Sequence, residues 1–405
     1  MANTTLTADI IAKEAVRVLD NELVMTKKVF RGYENEYTEG KNGYKVGDKI
    51  SIRKPTDFTV RDGAVMNAQD VVEGKTTIVV DQRKGVDFKF TSQDLTLKIG
   101  ELSERVIKPA MIQLANQMDV SLHGLYKYVP NWVGTPGNTI NSFADFAKGP
   151  ERLDELAVPQ DGRCAVLSPA DNWGLVGSQT ALYTDSIVKP AYRNGTMGMI
   201  AGVDTYMTQN VQTHTTGADV TGTVNQSITS ATTTYASVKD TNQQTITTAA
   251  VNLNAGDVIS IADVYDVNPV TKAALPFQKQ FTVISYSSNT AVISPAIIWD
   301  GAFQNVSVTS GVTDLNTKAI TSIQTAAGAY RQNMIFHKNA FALVSVPLVS
   351  PPGAVDVARQ TYKGTSVRVI PVYDGVNDES AWRLDILYGV KAIDPRLAVR
   401  LSGTA

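Results

Sequence analysis

The chain has 405 residues, 43% of them hydrophobic and 19% charged, so it is long enough to bury two or three hydrophobic cores. A formal net charge of −2 argues against bulk electrostatic binding to nucleic acid, which needs a basic face, so any contact with DNA is expected to be local and weak. A single cysteine, Cys164, excludes an internal disulfide framework and fits a reducing compartment, and three widely separated histidines offer no metal-ligand spacing.

The N-terminal region predicts an amphipathic helical arm. Thr7 is a suitable N-cap, and the helix is expected to run to about Val29 because apolar residues recur at helical spacing on one face: Ile10, Ile11, Ala15, Val18, Leu19 and Leu23. The opposite face, with Lys13 and Arg17, is either an ordinary solvated surface or part of an arm that packs on a partner. The segment lacks the basic start of a signal peptide, and no run of about 18 apolar residues follows, so we expect no membrane partner.

A long β-hairpin is predicted next. Strand patterns at residues 49–52 and 76–80 enclose a charged segment, Pro55 to Glu73, with little apolar material of its own. Such a ribbon is either an ordinary surface hairpin or an extension that a neighbouring molecule stabilises. In the second case the expected intersubunit contacts are Arg53, Lys54, Arg61, Asp62, Glu73, Arg83 and Asp87. Charged pairs of this kind suit the setting of register, since exposed pairs contribute about 0 to 1 kcal/mol each.

The strongest helical pattern follows, after Thr91 or Ser92 as cap. Its apolar positions recur at a spacing of nearly four residues: Leu102, Val106, Ala110, Leu114, Met118, Leu122 and Leu125. Pro109 lies within this pattern and predicts a kink or a break. Residues 140–215 then read as α+β, with a helix from Phe143 to Leu156, a buried strand from Arg163 to Leu167, and a helix that begins at Ser168-Pro169.

An inserted all-β module is predicted from composition. Between Arg193 and Arg331 lie 137 residues without Arg or Glu, and residues 205–325 hold 23 Thr. Short alternating apolar runs at 258–261, 281–284 and 291–293 are typical of strands. After this module, strands are expected at 341–349, 366–372 and 382–390, with a short helix from Gly353 to Arg359. We expect the final strand pair to return to the core of residues 140–215.

Motifs for catalysis are missing from the sequence. Glu73-Gly74-Lys75-Thr76-Thr77 has the ending of a phosphate-binding loop, but Gln69 stands where the first glycine belongs. Asp263, Asp266 and Asn268 form an acidic run without the bidentate Glu that a calcium loop needs. The sequence contains neither a nucleophile elbow nor a dinucleotide fingerprint that opens a helix. We therefore expect no enzyme, and no catalytic, cofactor-binding or metal-binding residues.

Several segments, in order along the chain, resemble the coat proteins of short-tailed Salmonella-type phages. They are Ser92-Gln93-Asp94-Leu95, Leu114-Ala115-Asn116-Gln117-Met118-Asp119, Ala191-Tyr192-Arg193-Asn194-Gly195-Thr196 with Ala201-Gly202-Val203-Asp204, Ala255-Gly256-Asp257-Val258-Ile259-Ser260 with Phe281-Thr282-Val283, and Leu387-Tyr388-Gly389-Val390-Lys391-Ala392 with Asp394-Pro395-Arg396. The resemblance implies the α+β fold of tailed-phage major capsid proteins with an inserted β-barrel. That barrel aids folding of the monomer and decorates the outer shell in the family.

The resemblance also implies a division of the chain. The expected parts are an N-terminal arm at 1–43, an extended β-hairpin loop at 44–91, a peripheral domain with a spine helix at 92–137, the first part of an axial domain at 138–215, the inserted barrel at 216–329 and an axial and peripheral C-terminal part at 330–405. Some family members carry a charged loop in the insertion that bridges neighbouring subunits. Residues 239–244 here are short and mostly neutral, which argues against that bridge in this chain.

The function implied is that of a major capsid protein that assembles into an icosahedral shell around the phage genome. Its expected partners are itself, in hexamers and pentamers, together with scaffolding and portal proteins and, by weak non-specific contact, packaged double-stranded DNA. Assembly is expected in the bacterial host cytoplasm, and the product is the virion capsid. The residues expected to face the interior, toward DNA or scaffold, are basic: Lys13, Arg17, Lys27, Lys28 and Arg31. Two alternatives are a nonviral compartment shell of the same fold and a β-domain receptor or glycan-binding module.

Overall fold

The described part of the chain is an α+β protein with many strands and few helices. The structure is a computed structural model that describes residues 12–17, 19, 23–33, 49–60, 64–66, 68–91, 106–179, 198–351, 357–362, 365–377 and 379–404. These residues fall into two compact units. The first draws on Met1–Ile50, Thr77–His123 and Phe341–Lys391, and the second on Ser51–Thr76, Gly124–Ala340 and Ala392–Ala405.

The elements follow one another along the chain in this order. The strands are β1 Lys49–Arg53, β2 Lys75–Val79, β3 Gln82–Thr91, β4 Trp132–Val133, β5 Arg163–Leu167, β6 Met199–Ile200, β7 Val203–Met207, β8 Thr213–Thr215, β9 Thr221–Val224, β10 Gln244–Ala249, β11 Val258–Val267, β12 Ala274–Ser287, β13 Thr290–Ser294, β14 Val306–Val308, β15 Ala319–Ser322, β16 Ala329–Arg331, β17 Asn333–His337, β18 Phe341–Ser345, β19 Ala358–Tyr362, β20 Thr365–Asp374, β21 Glu379–Ala392 and β22 Ala398–Leu401. The α-helices are α1 Lys108–His123, α2 Phe143–Glu155, α3 Pro169–Gln179 and α4 Tyr235–Val238. Short 3-10 helices cover Met25–Lys27, Gly124–Tyr128, Lys338–Ala340 and Pro395–Leu397.

The N-terminal helix is shorter than its sequence pattern predicts. Residues 12–17 and 19 are helical, but the chain is irregular at Leu23 and forms a 3-10 turn at Met25–Lys27 instead of continuing to Val29. A tertiary contact explains the change, because the buried Asp119 carboxylate accepts hydrogen bonds from the amides of Val24 and Thr26, at 2.9 and 3.1 Å, and from the Thr26 hydroxyl at 2.6 Å. The predicted cap Thr7 lies outside the described residues.

Helix α1 carries the apolar stripe that the sequence predicts. Its buried residues include Ala110, Leu114, Met118 and Leu122. Pro109 is the second residue of this helix, and residues 106–107 directly before it are π-helical, so the helical backbone changes type beside the proline. The chain then tightens into the 3-10 helix Gly124–Tyr128, which buries Leu125.

A five-stranded sheet completes the first unit. Its order is β18-β21-β20-β19, and β3 pairs antiparallel with β21 over ten residues, from Thr91 opposite Glu379 to Gln82 opposite Tyr388. The predicted helix from Gly353 to Arg359 is wrong at its end, because Ala358 and Arg359 lie in β19, where pairing with β20 outweighs the local helical pattern.

The second unit holds a six-stranded sheet in the order β4-β22-β17-β5-β7-β6. Helices α2 and α3 are found where the sequence predicts them, with the Ser142 hydroxyl accepting from the Asp145 amide as the cap of α2. The prediction for the C-terminal strand pair is wrong: β17 and β22 join the core of residues 140–215, whereas β20 and β21 belong to the five-stranded sheet. Strands β17 and β22 are short, so periodicity alone does not distinguish them.

The Thr-rich segment forms a closed barrel. Strands β12, β13, β10, β9, β15 and β11 pair in that order, and β11 pairs back with β12, so that six strands close and leave no open edge among themselves. Strand β14 is added to β11. The interior is filled by buried apolar side chains that include Ile246, Ile259, Phe281, Ile293 and Ile320. Strands β8 and β16 pair antiparallel at the two points where the chain enters and leaves this part of the sequence.

Candidate assembly surfaces and the buried contacts behind them

The loop between β1 and β2, residues 54–74, exposes apolar side chains. Val60, Val65 and Met66 are 96, 84 and 80% exposed, and Phe58 and Val71 are also exposed. Within the described part of the loop, Gln69 ties the two limbs together: its side-chain oxygen accepts from the Thr59 amide at 2.9 Å, and its amide donates to the Thr59 carbonyl at 2.6 Å. Large apolar groups in water indicate a surface made for burial on another molecule.

The charged candidates at the root of this loop have partners within the chain. Arg53 Nη1 lies 3.4 Å from Glu73 Oε2, and both side chains are largely exposed. Lys54 Nζ donates to the backbone carbonyls of Lys239 and Asp240, at 3.0 and 2.8 Å. Arg61 and Asp62 lie outside the described residues. The role of these residues in contacts between subunits stays a prediction.

Arg83 and Asp87 do not pair with each other but with residues of β21. Arg83 Nη2 lies 2.8 Å from Asp385 Oδ2, and Asp87 Oδ1 is 4.0 Å from Arg383 Nε. Asp385 is buried and also receives Arg368 at 2.6 Å and Arg383 at 2.9 Å. Burial acts to raise the pKa of Asp385, but the hydrogen bonds from Arg368, Arg83 and Arg383 outweigh it, so this pKa is lowered. Arg83 therefore stabilises the five-stranded sheet of its own subunit.

The basic residues expected to face the interior lie in the first unit. Lys13, Arg17 and Lys27 are exposed, whereas Lys28 and Arg31 are partly buried. Arg17 pairs with Glu14 at 2.8 Å, and Arg31 donates to the Thr365 hydroxyl at 2.9 Å. Contact of these side chains with DNA or scaffold stays a prediction.

A buried hub joins the barrel to the six-stranded sheet within the second unit. We define it as Tyr126, His214, Asp257 and Arg400. His214 Nε2 lies 2.7 Å from Asp257 Oδ1, and its Nδ1 lies 3.1 Å from the Tyr126 hydroxyl. Asp257 Oδ2 also accepts from the amides of Asn254 and Gly217, at 2.7 and 3.1 Å. The hub thus fixes the loop that precedes β11 against the strand that leads into the barrel.

Arg400, on β22, is fully buried, as is Asp257. Its guanidinium donates to the Gly256 carbonyl at 2.7 Å, to Thr282 Oγ1 at 3.2 Å and to Gln332 Oε1 at 3.3 Å. Burial lowers the pKa of Arg400 to about 9, against the opposite influence of Tyr126 and Asp257. A buried cation with these acceptors holds barrel strand β12 and sheet strand β22 in one arrangement.

Further contacts join barrel and sheet beside the hub. The Gln280 side chain accepts from the Trp132 amide at 2.7 Å and donates to the Trp132 carbonyl at 2.9 Å, which mimics one more strand pairing. Arg152 of α2 stacks on Phe277 of β12, with 3.5 Å between the guanidinium carbon and the ring centroid. Arg152 also lines a groove of about 360 Å³ with Trp132, Val133, Gly134, Lys148, Glu151, Glu155 and Phe277.

Sequence patterns miss both the exposed apolar residues and the hub. Val60, Val65, Met66 and Val71 lie among polar, charged and small residues and form no periodic pattern. The hub joins residues that are far apart in the chain, such as Tyr126 and Arg400. The signal in the sequence was one arginine within the apolar run Ala398-Val399-Arg400-Leu401, since a charge in a buried strand needs partners.

The described residues hold no group of three or more His, Cys, Asp or Glu side chains placed to bind a metal ion. The described helices are also too short or too polar to span a bilayer.

Comparisons with known proteins place these features in context. The model of the family described as "P22 coat protein - gene protein 5" matches residues 1–403. The "Major capsid protein" of Acyrthosiphon pisum secondary endosymbiont phage 1 is 22% identical over 98% of this chain and 97% of its own length. A solved structure from Mycobacterium phage Che8 has a TM-score of 0.50 and 15% identity, over 93% of this chain and 90% of that one. The capsid of Ralstonia phage GP4 has a TM-score of 0.43 and 9% identity, over 89% of this chain and 85% of that one.

Proposed function

Because this chain belongs to the P22 coat protein family, we propose that its 54–74 loop is a surface that neighbouring subunits bury when the shell forms. The protein is a shell-forming major capsid protein of a phage, with a structural role rather than an enzymatic one, and it acts as part of the virion capsid. The observation that carries the proposal is the exposure of Val60, Val65 and Met66 on a loop with few internal contacts among its described residues.

Several physical points support a second copy as the occupant of this surface. A shell of many identical subunits needs elements whose burial is completed on a neighbour, because a repeated contact requires complementary patches on one chain. Burial of an exposed Val or Met side chain contributes about 1.5 to 3 kcal/mol. The exposed Arg53–Glu73 pair at the loop's root contributes about 0 to 1 kcal/mol and suits the choice of register.

The remaining parts of the chain take the following roles in this proposal. Residues 1–43 form the N-terminal arm and 44–91 the extended loop. Helix α1 is the spine helix of a peripheral domain at 92–137, and 138–215 begin an axial domain. The barrel occupies 216–329. The C-terminal part, 330–405, serves both domains, with 341–391 in the peripheral one.

The partners of the shell complete the proposal. The subunits assemble as hexamers and pentamers in the host cytoplasm, with scaffolding and portal proteins. The exposed basic side chains Lys13, Arg17 and Lys27, with the partly buried Lys28 and Arg31, face the interior. With a net charge of −2 on the whole chain, contact with packaged double-stranded DNA is weak and non-specific.

The test measures amide hydrogen exchange across the 54–74 loop in the monomer and in the assembled shell. Shells are prepared from the protein alone and with its neighbouring gene products, and are verified by light scattering and electron microscopy. We expect fast exchange in the monomer and strong protection in the shell, whereas the barrel strands are protected in both. A loop that exchanges equally fast in closed shells overturns its role as a contact.

A further inference from the structure

One segment of the barrel touches the root of the 54–74 loop in the same subunit. This segment, residues 235–240, consists of α4 and the two residues that follow it. Lys54 Nζ donates to the carbonyls of Lys239 and Asp240, at 3.0 and 2.8 Å. From the other limb, the Lys75 amide donates to Asp240 Oδ1 at 2.9 Å. The barrel therefore holds both limbs of the loop at the point where they leave β1 and β2.

Gly74 permits this close approach. The Lys54 amide donates to the Gly74 carbonyl at 2.8 Å, which closes the base of the loop. A Cβ at position 74 would stand 2.3 Å from the Lys239 carbonyl oxygen and 3.1 Å from the Tyr235 hydroxyl. Because the first of these is a backbone atom, a side chain there forces the two segments apart.

The 235–240 segment is itself fixed to the barrel. The ring of Tyr235 stacks on Phe303, with 3.5 Å between ring centroids and 6° between ring planes. The Asn242 amide donates to the Val238 carbonyl at 2.7 Å, and the Asn242 carbonyl accepts from the Ala296 amide at 3.1 Å. The loop root is thus bound to a segment that has its own contacts with the rest of the barrel.

We infer that the barrel positions the 54–74 loop for assembly, with Lys54, Gly74 and Asp240 as positioning residues. The inference rests on the proposed role of the loop as an assembly contact and gives the barrel a second task, within its own subunit. Lys239 and Asp240 bond Lys54 and Lys75 of their own chain, so this part of the 239–244 segment contacts the loop of its own subunit rather than a neighbouring subunit.

The direction in which the loop extends from the subunit depends on the geometry of its root. A limb of ten residues reaches at most about 33 Å, so a change of about 10° at the root moves the tip by about 6 Å. Between root and tip, Gln69 hydrogen-bonds Thr59, and the charge of Asp57 acts to raise the pKa of Lys272 and of Arg396. A displacement of that size removes Val65 and Met66 from any complementary surface.

The test compares Asp240→Ala and Gly74→Ala with wild type, with Asp240→Asn as the conservative variant. Asn keeps a side-chain oxygen for the Lys75 amide, so Asp240→Asn is expected to behave as wild type. Asp300→Ala is the matched control, because Asp300 is an exposed carboxylate on the barrel outside this contact. Asp240→Ala keeps the inference testable if Gly74→Ala fails to fold.

The first readout is the distance between loop and barrel in the full-length monomer, measured by pulsed dipolar electron paramagnetic resonance. Cys164 is buried, so spin labels are placed at Ala68→Cys and Ser310→Cys, both exposed positions. One narrow distance distribution is expected for wild type, Asp240→Asn and Asp300→Ala, and a broadened one for Asp240→Ala and Gly74→Ala. Unchanged distributions in these last two variants overturn the inference.

The second readout is shell formation by the unlabelled variants. It is applied to variants whose monomer melting temperature equals that of wild type. If the competent orientation falls to a tenth of the population, shell formation requires about tenfold more protein. Normal assembly of Asp240→Ala despite a broadened distance distribution overturns the positioning role. The proposed function fails separately, if removal of the apolar side chains of the loop leaves assembly unchanged, and that failure does not alter the distance measurement.

Discussion

The barrel and the 54–74 loop differ in the solvent exposure of their apolar side chains. In the barrel, Ile246, Phe281 and Ile293 point into a closed interior and are fully buried. In the loop, Val60, Val65 and Met66 lie in water. The barrel satisfies its strand edges by closure, whereas the described loop has no regular secondary structure between β1 and β2.

This difference separates folding from assembly within one chain. Side chains that are buried in the monomer contribute to the free energy of unfolding, and exposed apolar ones contribute when a neighbour covers them. Substitutions in the barrel and its hub should therefore change monomer stability. Substitutions of the exposed apolar side chains of the loop should change assembly and leave the stability of the monomer unchanged.

The largest expected effect is that of Arg400→Ala. The change removes a fully buried guanidinium and takes the donor away from the Gly256 carbonyl and from Gln332 Oε1, so we expect the free energy of unfolding to fall by about 3 to 5 kcal/mol. Urea unfolding of the monomer measures it. Arg53→Ala, an equally charged but exposed control, should change the monomer by less than about 0.5 kcal/mol. Equal effects of the two substitutions would show that the buried contacts of Arg400 do not stabilise the monomer more than those of an exposed arginine.

Asp385→Asn weakens a contact that belongs to the folded monomer, because Asp385 pairs with Arg83 on β3, the strand that follows β2. It leaves the buried Arg368 with a weaker partner and loosens Arg83, so a loss of about 2 to 3 kcal/mol is expected.

The pH dependence has a definite sign. The folded-state pKa of Asp385 is lowered, so its contribution is present above the unfolded value near 3.8 and is lost as pH falls through the folded pKa. Unfolding curves between about pH 5 and pH 2 should show a steeper loss in wild type than in Asp385→Asn. Parallel curves for the two proteins would exclude this carboxylate as a source of acid sensitivity.

The double substitution Val65→Ser with Met66→Ser is expected to leave monomer unfolding unchanged. If each shell contact loses about 1.4 kcal/mol of apolar burial, the protein concentration needed for shells rises by about tenfold. Light scattering against concentration measures this threshold. Val270→Ser, on an exposed turn of the barrel, is the control and should keep the wild-type threshold. A monomer destabilised by the loop substitutions would instead show that these side chains pack within their own subunit.

The smallest effect belongs to the Arg53–Glu73 pair. Both side chains are solvated, so a double-mutant cycle on the monomer should give a coupling energy of about 0 to 0.5 kcal/mol. A cycle on the assembly threshold should give a larger value if a neighbour covers the pair. A large coupling energy in the monomer would place the pair among the folding contacts.

The elements that the sequence predicts well are those with local signals. Helix α2 has its Ser142 cap, and barrel strands β11 and β12 contain the alternating runs at 258–261 and 281–284. Closure of the barrel was part of the family resemblance and not of the strand pattern. The pairing of β11 back to β12 depends on contacts that no local window contains.

Errors occur where tertiary contacts decide the outcome. Asp119 ends the N-terminal helix from about 95 positions away in the chain, and β20 draws Arg359 into a strand. In the loop, the charge pattern predicts Arg53, Arg61 and Glu73 as contacts, whereas several large apolar side chains are exposed there, and their irregular spacing gives no periodic signal.

The most direct measurement is a cryo-electron microscopy structure of the assembled shell, from which the accessibility of Val60, Val65 and Met66 is compared with that of the monomer. We expect a neighbouring subunit to bury these three side chains while the barrel interior stays unchanged. A closed shell in which all three remain exposed would contradict this expectation.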